Sequence, residues 1–368
     1  MLFINKRYLP YFDWISFGII LLLSFVGLTF VFSTTYQPHA PYSLFFKKQL
    51  FGICSGIIIY FFCSFINAQS LSRVGYVLYF GTIGLLIFTL FKGSIGLGAQ
   101  RWINLGVIKF QPSELTKFLF PLSLTYYFAH AKDKELPKQS SFIIPLLIMM
   151  LSVFLIMKQP DLGTALIILF SGLVLFWLIG LRTKYFMITA FFFCLTAPIS
   201  WHFLKTYQKK RVLVFLGQGS NNKERYQIEQ SKIAVGSGGL LGKGYVKGTQ
   251  NQLSFLPESR TDFIFSIICE EFGLLGASLI LLLFFLLFMR LFHMISLIQS
   301  FYPALMCIGL LIHIILSTII NVCMVLDLLP IVGIPLPLIS YGITHVWITF
   351  ASLGCINSIT CQRYAHNL

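Results

Sequence analysis

The sequence predicts an all-α, polytopic membrane protein of about ten transmembrane helices and one long polar loop, a single domain over residues 1–368. Three observations carry that prediction. Hydrophobic residues make up 57% of the chain and charged residues 11%, against about 25% charged in ordinary globular domains, so the solvent for most of the chain is lipid. Apolar stretches close to the ~20 residues needed to cross a bilayer recur from end to end. The one long interruption is residues 205–261.

The first apolar stretch, 13–34, follows Lys6 and Arg7. It exceeds the roughly 7–15 residues of a signal-peptide core, so it reads as a retained first helix. The next five lie near 46–66, 74–91, 113–130, 141–157 and 162–180. A seventh, 185–204, contains Pro198; after the polar loop come 262–289, 300–325 and 338–359. An even number of crossings places both termini on one side. With the N-terminus inside, the inner segments hold Lys6, Arg7, Arg73, Lys132, Lys134, Lys138, Arg182, Lys184, Arg290 and Arg363. The outer segments, the long loop aside, hold Lys47, Lys48, Lys92, Arg101, Lys109, Lys117 and Lys158. That bias follows the positive-inside rule. It makes 205–261 an extracytoplasmic loop between helices 7 and 8. Ten further Lys and Arg in that loop, Arg211, Lys232, Lys243 and Arg260 among them, reverse the count. Outer cations in such number fit an anionic lipid headgroup at the membrane surface.

Cysteine and histidine carry little chemistry. The eight cysteines form no CxxC pair and the seven histidines no HxxxH or HExxH spacing, so neither a structural metal nor a disulfide framework is expected. The stretch GSGGLLGKG (236–244) fails the phosphate-loop pattern because Gly244 follows Lys243. It reads as a flexible turn, with backbone amides cradling a phosphate as the alternative.

Four other stretches place polar groups at membrane depth. QPSELTK (111–117) opens the fourth helix, with Pro112 suited to its first position. Glu114 and Lys117 are i,i+3 neighbours, either a simple ion pair or a functional charge in the membrane. QPDLGT (159–164) echoes it at the sixth helix, so two helix N-termini face one water layer and suit a phosphate. LPIVGIPLPLISYG (329–342) sets three prolines before the tenth helix. Broken backbone at that depth must be buried in protein or line a cavity, which points to a re-entrant segment. In LPESRTDFIF (256–265), Asp262 stands where the polar loop becomes an apolar helix. An acid in a first helical turn is favoured by the dipole, and Ser259 or Thr261 could cap that helix. Glu270 and Glu271, further along, have no such explanation.

QRWINLGVIKFQPSELTKF (100–118), KQPDLGTA (158–165), YQKKRVLVFL (207–216), QSKIAVGSGGLLGKGYVKGTQNQLSFLPESRTDFIF (230–265) and PLPLISYG (335–342) together resemble the SEDS family, in order and over nearly the whole chain. The compact length and the GTQNQLSFLPE run resemble the elongation members (RodA type) more than the division members (FtsW type). The resemblance implies a peptidoglycan glycosyltransferase of ten transmembrane helices in the bacterial cytoplasmic membrane, both termini cytoplasmic. It would polymerise lipid II, a disaccharide-pentapeptide on undecaprenyl pyrophosphate, at the outer face during elongation and cell-shape maintenance. The family's essential aspartate maps onto Asp262. Its polar residues map onto Arg101, Trp102, Gln111, Ser113, Glu114 and Lys117. Asp161, Arg211, Lys232, Lys243, Glu258, Arg260 and Ser340, from the other matching blocks, complete the expected substrate-binding set. The family's PLPLxSYGG-S pattern departs here to PLPLISYGITH, with Ile343, Thr344 and His345 in place of Gly-Ser.

The residues admit the same chemistry. An acceptor hydroxyl needs a base at headgroup depth, where Asp262 lies. The helix dipole would lower its pKa and desolvation would raise it. Expected partners are lipid II and nascent glycan, a class B penicillin-binding protein and the membrane, with no nucleic acid. No covalent cofactor is expected; a divalent cation bridging Asp262 and the pyrophosphate is possible, without a ligand cluster to indicate it. Two other functions fit the same chain. A flippase for the lipid-linked precursor would need a polar path through all depths. A scaffold for the penicillin-binding protein would need no convergence of the outer polar motifs.

Overall fold

The computed structural model describes residues 11–362 except 40, 97–98, 105, 107–108, 132–136, 204–205, 219–222 and 254. Lys6, Arg7, Lys132, Lys134, Lys205 and Arg363, used above for orientation, lie outside the described residues. Ten long helices fall on the ten apolar stretches: α1 (Trp14–Thr35), α2 (Leu44–Ser64), α3 (Ala68–Lys92), α4 (Pro112–Ala129), α5 (Ile143–Lys158), α6 (Leu162–Ile179), α7 (Thr183–Phe203), α11 (Ile264–Ser296), α12 (Phe301–Val325) and α13 (Ile343–Gln362). Local signals start several of them. Asp13, Ser43, Asn67 and Asp161 each accept a hydrogen bond from a first-turn backbone N–H of α1, α2, α3 and α6, satisfying donors that a helix start leaves open.

Among the described residues, seven helical segments are long and apolar enough to cross a membrane on composition alone. The helices α4, α7 and α13 are not among them; α4 and α13 form the centre of the bundle. In α4 every residue from Pro112 to Thr125 is buried apart from Leu115, and in α13 every residue from Thr344 to Cys361 apart from Trp347. A helix wrapped by other helices never meets lipid, so it can carry Glu114, Lys117, His345 and Asn357 at depth. The lipid-facing helices show the reverse: Phe25, Ile58, Phe91, Leu147 and Phe285 are all exposed apolar side chains.

Two regions add structure to the predicted helices. A three-stranded antiparallel sheet, β1 (Ser94–Gly96), β2 (Ala99–Asn104) and β3 (Lys109–Phe110), precedes α4, with Ile103 opposite Phe110. The long polar segment holds α8 (Thr206–Phe215), α9 (Lys223–Gly238) and the single turn α10 (Thr249–Gln252). Gln227, Ile228, Ser231, Ala234 and Gly238 form one buried stripe on α9, the three-to-four spacing of a packed helix face. Ser231 Oγ lies 2.8 Å from Ser266 Oγ and donates to the Val325 carbonyl at 2.9 Å, binding α9 to α11 and α12.

Residues 326–342 do not continue a helix, and Leu336 to Ser340 are buried. This is the broken, protein-buried segment expected from its prolines. It packs so closely on α1 that a Cβ on Gly27 would lie 2.6 Å from Ile339 Cα.

Candidate active site

Asp262 lies outside α11. The helix begins at Ile264, its N-cap Phe263 makes no side-chain cap, and there is no acid in its first turn. Helix capping and dipole preference therefore do not account for this carboxylate. It closes a turn instead, in which the Glu258 carbonyl accepts from Thr261 N at 3.1 Å and Phe263 N at 3.3 Å.

That turn is clamped from two sides. Asn321 of α12, fully buried, donates through Nδ2 to the Asp262 carbonyl at 2.8 Å and the Ile334 carbonyl at 2.7 Å. Ser340 Oγ donates to the Thr261 carbonyl at 2.6 Å and accepts from Leu336 N at 2.8 Å, while Tyr341 N donates to the Arg260 carbonyl at 3.0 Å. The broken segment thus forms one wall of the site. Gly333, at φ 73°, approaches so closely that a Cβ there would lie 3.4 Å from Asp262 Oδ2.

Charges converge on Asp262 from four elements. Burial is the largest influence and raises its carboxyl from the usual 3.8 to about 6. Glu258 adds to the rise, Arg101 of β2 and Arg211 of α8 oppose it, and Asp161 of α6 raises it further. Desolvation thus prevails over the two arginines and leaves a carboxylate that is ionised at neutral pH yet more basic than a solvated one.

The two QP stretches meet beside this group and play different parts. Gln111 Nε2 and Ser113 Oγ both donate to Asp161 Oδ2, at 2.8 and 2.9 Å, and Arg101 Nη1 stands 3.9 Å from Asp161 Oδ1. Asp161 also caps α6 by accepting from Thr164 N at 3.3 Å. Gln159, the counterpart of Gln111, turns away and donates to the Leu86 carbonyl and Thr89 Oγ1 of α3.

One turn further along α4 lies a second buried cluster. Lys117 Nζ donates to Glu114 Oε1 at 2.7 Å, the ion pair expected from i,i+3 spacing. The other oxygen, Oε2, faces His345 Nδ1 at 3.0 Å. His345, one of the residues that departs from the family pattern, is therefore a third member of this cluster.

The remaining candidates are spread more widely. Glu258 holds Thr261 Oγ1 at 3.1 Å, and the Arg260 guanidinium stacks 3.9 Å over the Phe45 ring. Trp102 lies in β2, its carbonyl accepting from Ser94 Oγ. Lys232 pairs with Asp327, and Lys243 Nζ with Glu270 at 2.7 Å, away from Asp262.

The glycine-rich stretch neither cradles a phosphate nor hangs free. α11 is interrupted at Gly273 (φ 64°, ψ −160°). The N–H groups of Leu274 and Leu275 donate to the Gly239 and Leu240 carbonyls, at 2.9 and 3.2 Å. In return, Lys243 N and Gly244 N donate to the Glu270 and Glu271 carbonyls at 3.0 and 2.9 Å. Gly242 N bonds the Gly238 carbonyl. The amides of Gly242, Lys243 and Gly244 are therefore occupied, and a Cβ on Gly242 would lie 2.2 Å from the Glu271 carbonyl oxygen. The pair Glu270–Glu271 is explained in part by this splice. Glu270 Oε1 takes Lys243, Thr249 Oγ1 and Gln250 N, and Glu271 takes the Ser33 hydroxyl.

Asn321 was not among the expected site residues. Its signal was present, a lone amide in the apolar run of α12, where an unpaired polar group is costly. Among the described residues no three His, Cys, Asp or Glu side chains gather to hold a metal ion.

Comparison with known proteins agrees with this arrangement. Residues 13–365 match the family model of the FtsW, RodA and SpoVE cell cycle proteins. The chain is 37% identical over 319 residues to the peptidoglycan glycosyltransferase MrdB of Escherichia coli K12, covering 86% of each chain. It is 36% identical over 371 residues to MrdB of Helicobacter pylori 26695, covering 98% of this chain and 93% of that one. Among solved structures it superposes with a TM-score of 0.80 and 27% identity on a chain from a study of how a peptidoglycan synthase complex coordinates polymerization and crosslinking. It superposes with a TM-score of 0.70 and 25% identity on the rod shape determining protein RodA of Thermus thermophilus. Both superpositions cover 96% of this chain and 98% of the other.

Proposed function

The chain belongs to the FtsW/RodA/SpoVE family, and from that premise we propose how this peptidoglycan glycosyltransferase of the RodA type carries out its reaction. The substrate is lipid II, and the site faces the outer side of the cytoplasmic membrane, with both termini inside and residues 205–261 outside. The observation that carries the reading is Asp262, held ahead of α11 by Asn321 and Ser340, raised to about 6 and flanked in charge by Arg101 and Arg211.

Asp262 accepts the proton of the acceptor sugar's 4-hydroxyl as that oxygen attacks the donor's anomeric carbon. The new C–O glycosidic bond forms as the bond to the pyrophosphate breaks, with inversion at carbon 1. The polyprenyl pyrophosphate leaves with the electron pair. Arg101 and Arg211 lie where they can meet its charge, and as guanidiniums they suit phosphate oxygens. A pKa near 6 suits the base, because most of it is ionised at neutral pH while its proton affinity exceeds that of a free carboxylate. Gln111 and Ser113 hold Asp161, which anchors Arg101 in turn. Arg101 and Arg211 bring positive charge to the place of the pyrophosphate. A class B penicillin-binding protein is the partner that would crosslink the strand.

The test is polymer formation from labelled lipid II by the purified chain, alone and with a cognate transpeptidase. Glycan strands from the wild-type chain and none from Asp262→Asn are expected. Equal polymer from both would overturn the assignment.

A further inference from the structure

α11 is 33 residues long, about 50 Å at ~1.5 Å per residue, whereas a hydrocarbon core is about 30 Å thick. Its interruption at Gly273 resolves that excess. From Leu274 to Ser296 the helix is still about 34 Å long, enough for the crossing by itself. The part from Ile264 to Phe272 is a stub on the side of Asp262. The break therefore lies near the boundary between headgroups and acyl chains on that side.

The loop after α9 is spliced into this break and held there. Its backbone bonds to residues 270, 271, 274 and 275, and the Lys243 side chain, bonded to buried Glu270, leave it a fixed position. Held so, Leu240 and Leu241 are 68% and 77% exposed, beside Leu274 and Leu275 at 60% and 58%. Those last two begin the exposed apolar surface of α11, which continues through Leu279, Leu282 and Phe285. The loop leucines extend a lipid-facing surface that already exists. Next in sequence come Tyr245 and Lys247, both exposed. The Tyr245 ring packs on Phe30 and Phe272, and its hydroxyl donates to the Thr29 carbonyl. An amphipathic aromatic and a long cationic side chain are the residue types found at a membrane–water interface.

We propose that the Gly239–Lys247 loop is a membrane-seated element, with Leu240 and Leu241 in the acyl chains of the leaflet on the side of Asp262. The loop is polar in its backbone, yet the Gly239 and Leu240 carbonyls and the Lys243 and Gly244 N–H groups are paired with the broken helix. Such pairing with protein is what irregular backbone at this depth requires. The nine residues of the stub carry the chain about 13 Å from the break to Ile264, just after the turn that holds Asp262.

The test places p-benzoylphenylalanine at position 241 of the full chain in membranes, with position 282 as the lipid-exposed control and position 225 on α9 as the water-exposed one. After irradiation, the attached molecules are identified by mass spectrometry. Lipid adducts at 241 are expected within threefold of the yield at 282 and at least tenfold above that at 225. A yield at 241 equal to that at 225, or attachment mainly to a second protein, would overturn the proposal. In a second arm, Gly242→Ala displaces the splice. The adduct yield at 241 should fall about fivefold while that at 282 holds; an unchanged yield at 241 would show that the splice does not seat the loop. The readout is lipid attachment rather than polymer, so failure here leaves the catalytic reading of Asp262 untouched.

Discussion

Replacing Asp262 by Asn separates chemistry from structure, because the two are expected to move in opposite directions. Asn keeps the shape of the side chain and leaves the backbone carbonyl free to accept from Asn321. It cannot accept the acceptor sugar's proton, and loss of a general base costs on the order of 10²–10⁴ in rate. Stability should change the other way. The folded state holds the Asp262 carboxyl at about 6 against an ordinary 3.8. Since the folded pKa is the raised one, folding favours the protonated form. The resulting penalty is absent below pH ~4 and fully developed above pH ~6. At about 1.36 kcal/mol per pH unit it amounts to roughly 3 kcal/mol at most, and less with solvent screening, since Asp262 keeps part of its surface in contact with solvent. Asp262→Asn should therefore be inactive yet melt at a higher temperature than wild type at pH 7.5, with that gain vanishing near pH 4. The assays are polymer yield from labelled lipid II at matched protein levels and thermal unfolding against pH. The wild-type rate should fall about tenfold per unit below pH ~6 as Asp262 takes up its proton. Polymer from the Asn variant within a few-fold of wild type, or a rate independent of pH down to 5, would refute the reasoning.

Other outcomes follow from the same geometry. Arg211 lowers the pKa of Asp262, so Arg211→Ala should move the acidic limb of the rate profile to higher pH, as measured by polymerisation between pH 5 and 8. Asn321→Leu leaves the carbonyls of Asp262 and Ile334 without their donor; at about 1–3 kcal/mol for each buried group left unpaired, denaturation should shift markedly and the turnover rate fall with it. Lys117→Ala leaves Glu114 with His345 as its partner and should weaken lipid II binding in a direct binding assay. Full recovery by Glu114→Ala/Lys117→Ala would reduce Lys117 to an ion-pair partner. Finally, cysteines introduced at Ser220 and Asn367, both outside the described residues, should differ in labelling by an impermeant thiol reagent on intact cells. Ser220→Cys alone should react, and the reverse result would invert the topology.

What the sequence determined by itself was everything that depends on a residue and its near neighbours. An apolar run of about 20 residues must span or be buried wherever it folds, and the ten long helices lie on the expected runs, while α8, α9 and α10 fall in the polar segment. Helix starts at Pro112 and at Asp161, and the broken backbone after Asp327, were legible for the same reason, since proline and capping chemistry act within a few residues. The outer motifs were legible too, through their resemblance to a family. What only the tertiary structure decided was pairing across elements. Asp161 could be named, but not that Gln111 and Ser113 of another helix would hold it. The i,i+3 rule gave Lys117 to Glu114, whereas His345 lies 231 residues from Glu114 along the chain and reaches it only because α13 packs at the centre beside α4. GSGGLLGKG looked like a mobile turn because nothing within it reveals that α11 breaks at Gly273 and exposes the groups it bonds. The pKa of Asp262 belongs to the same class. It depends on how much water the surrounding elements exclude and on which distant charges they bring near, and an interaction that falls off over a few ångströms in space has no fixed distance along the chain.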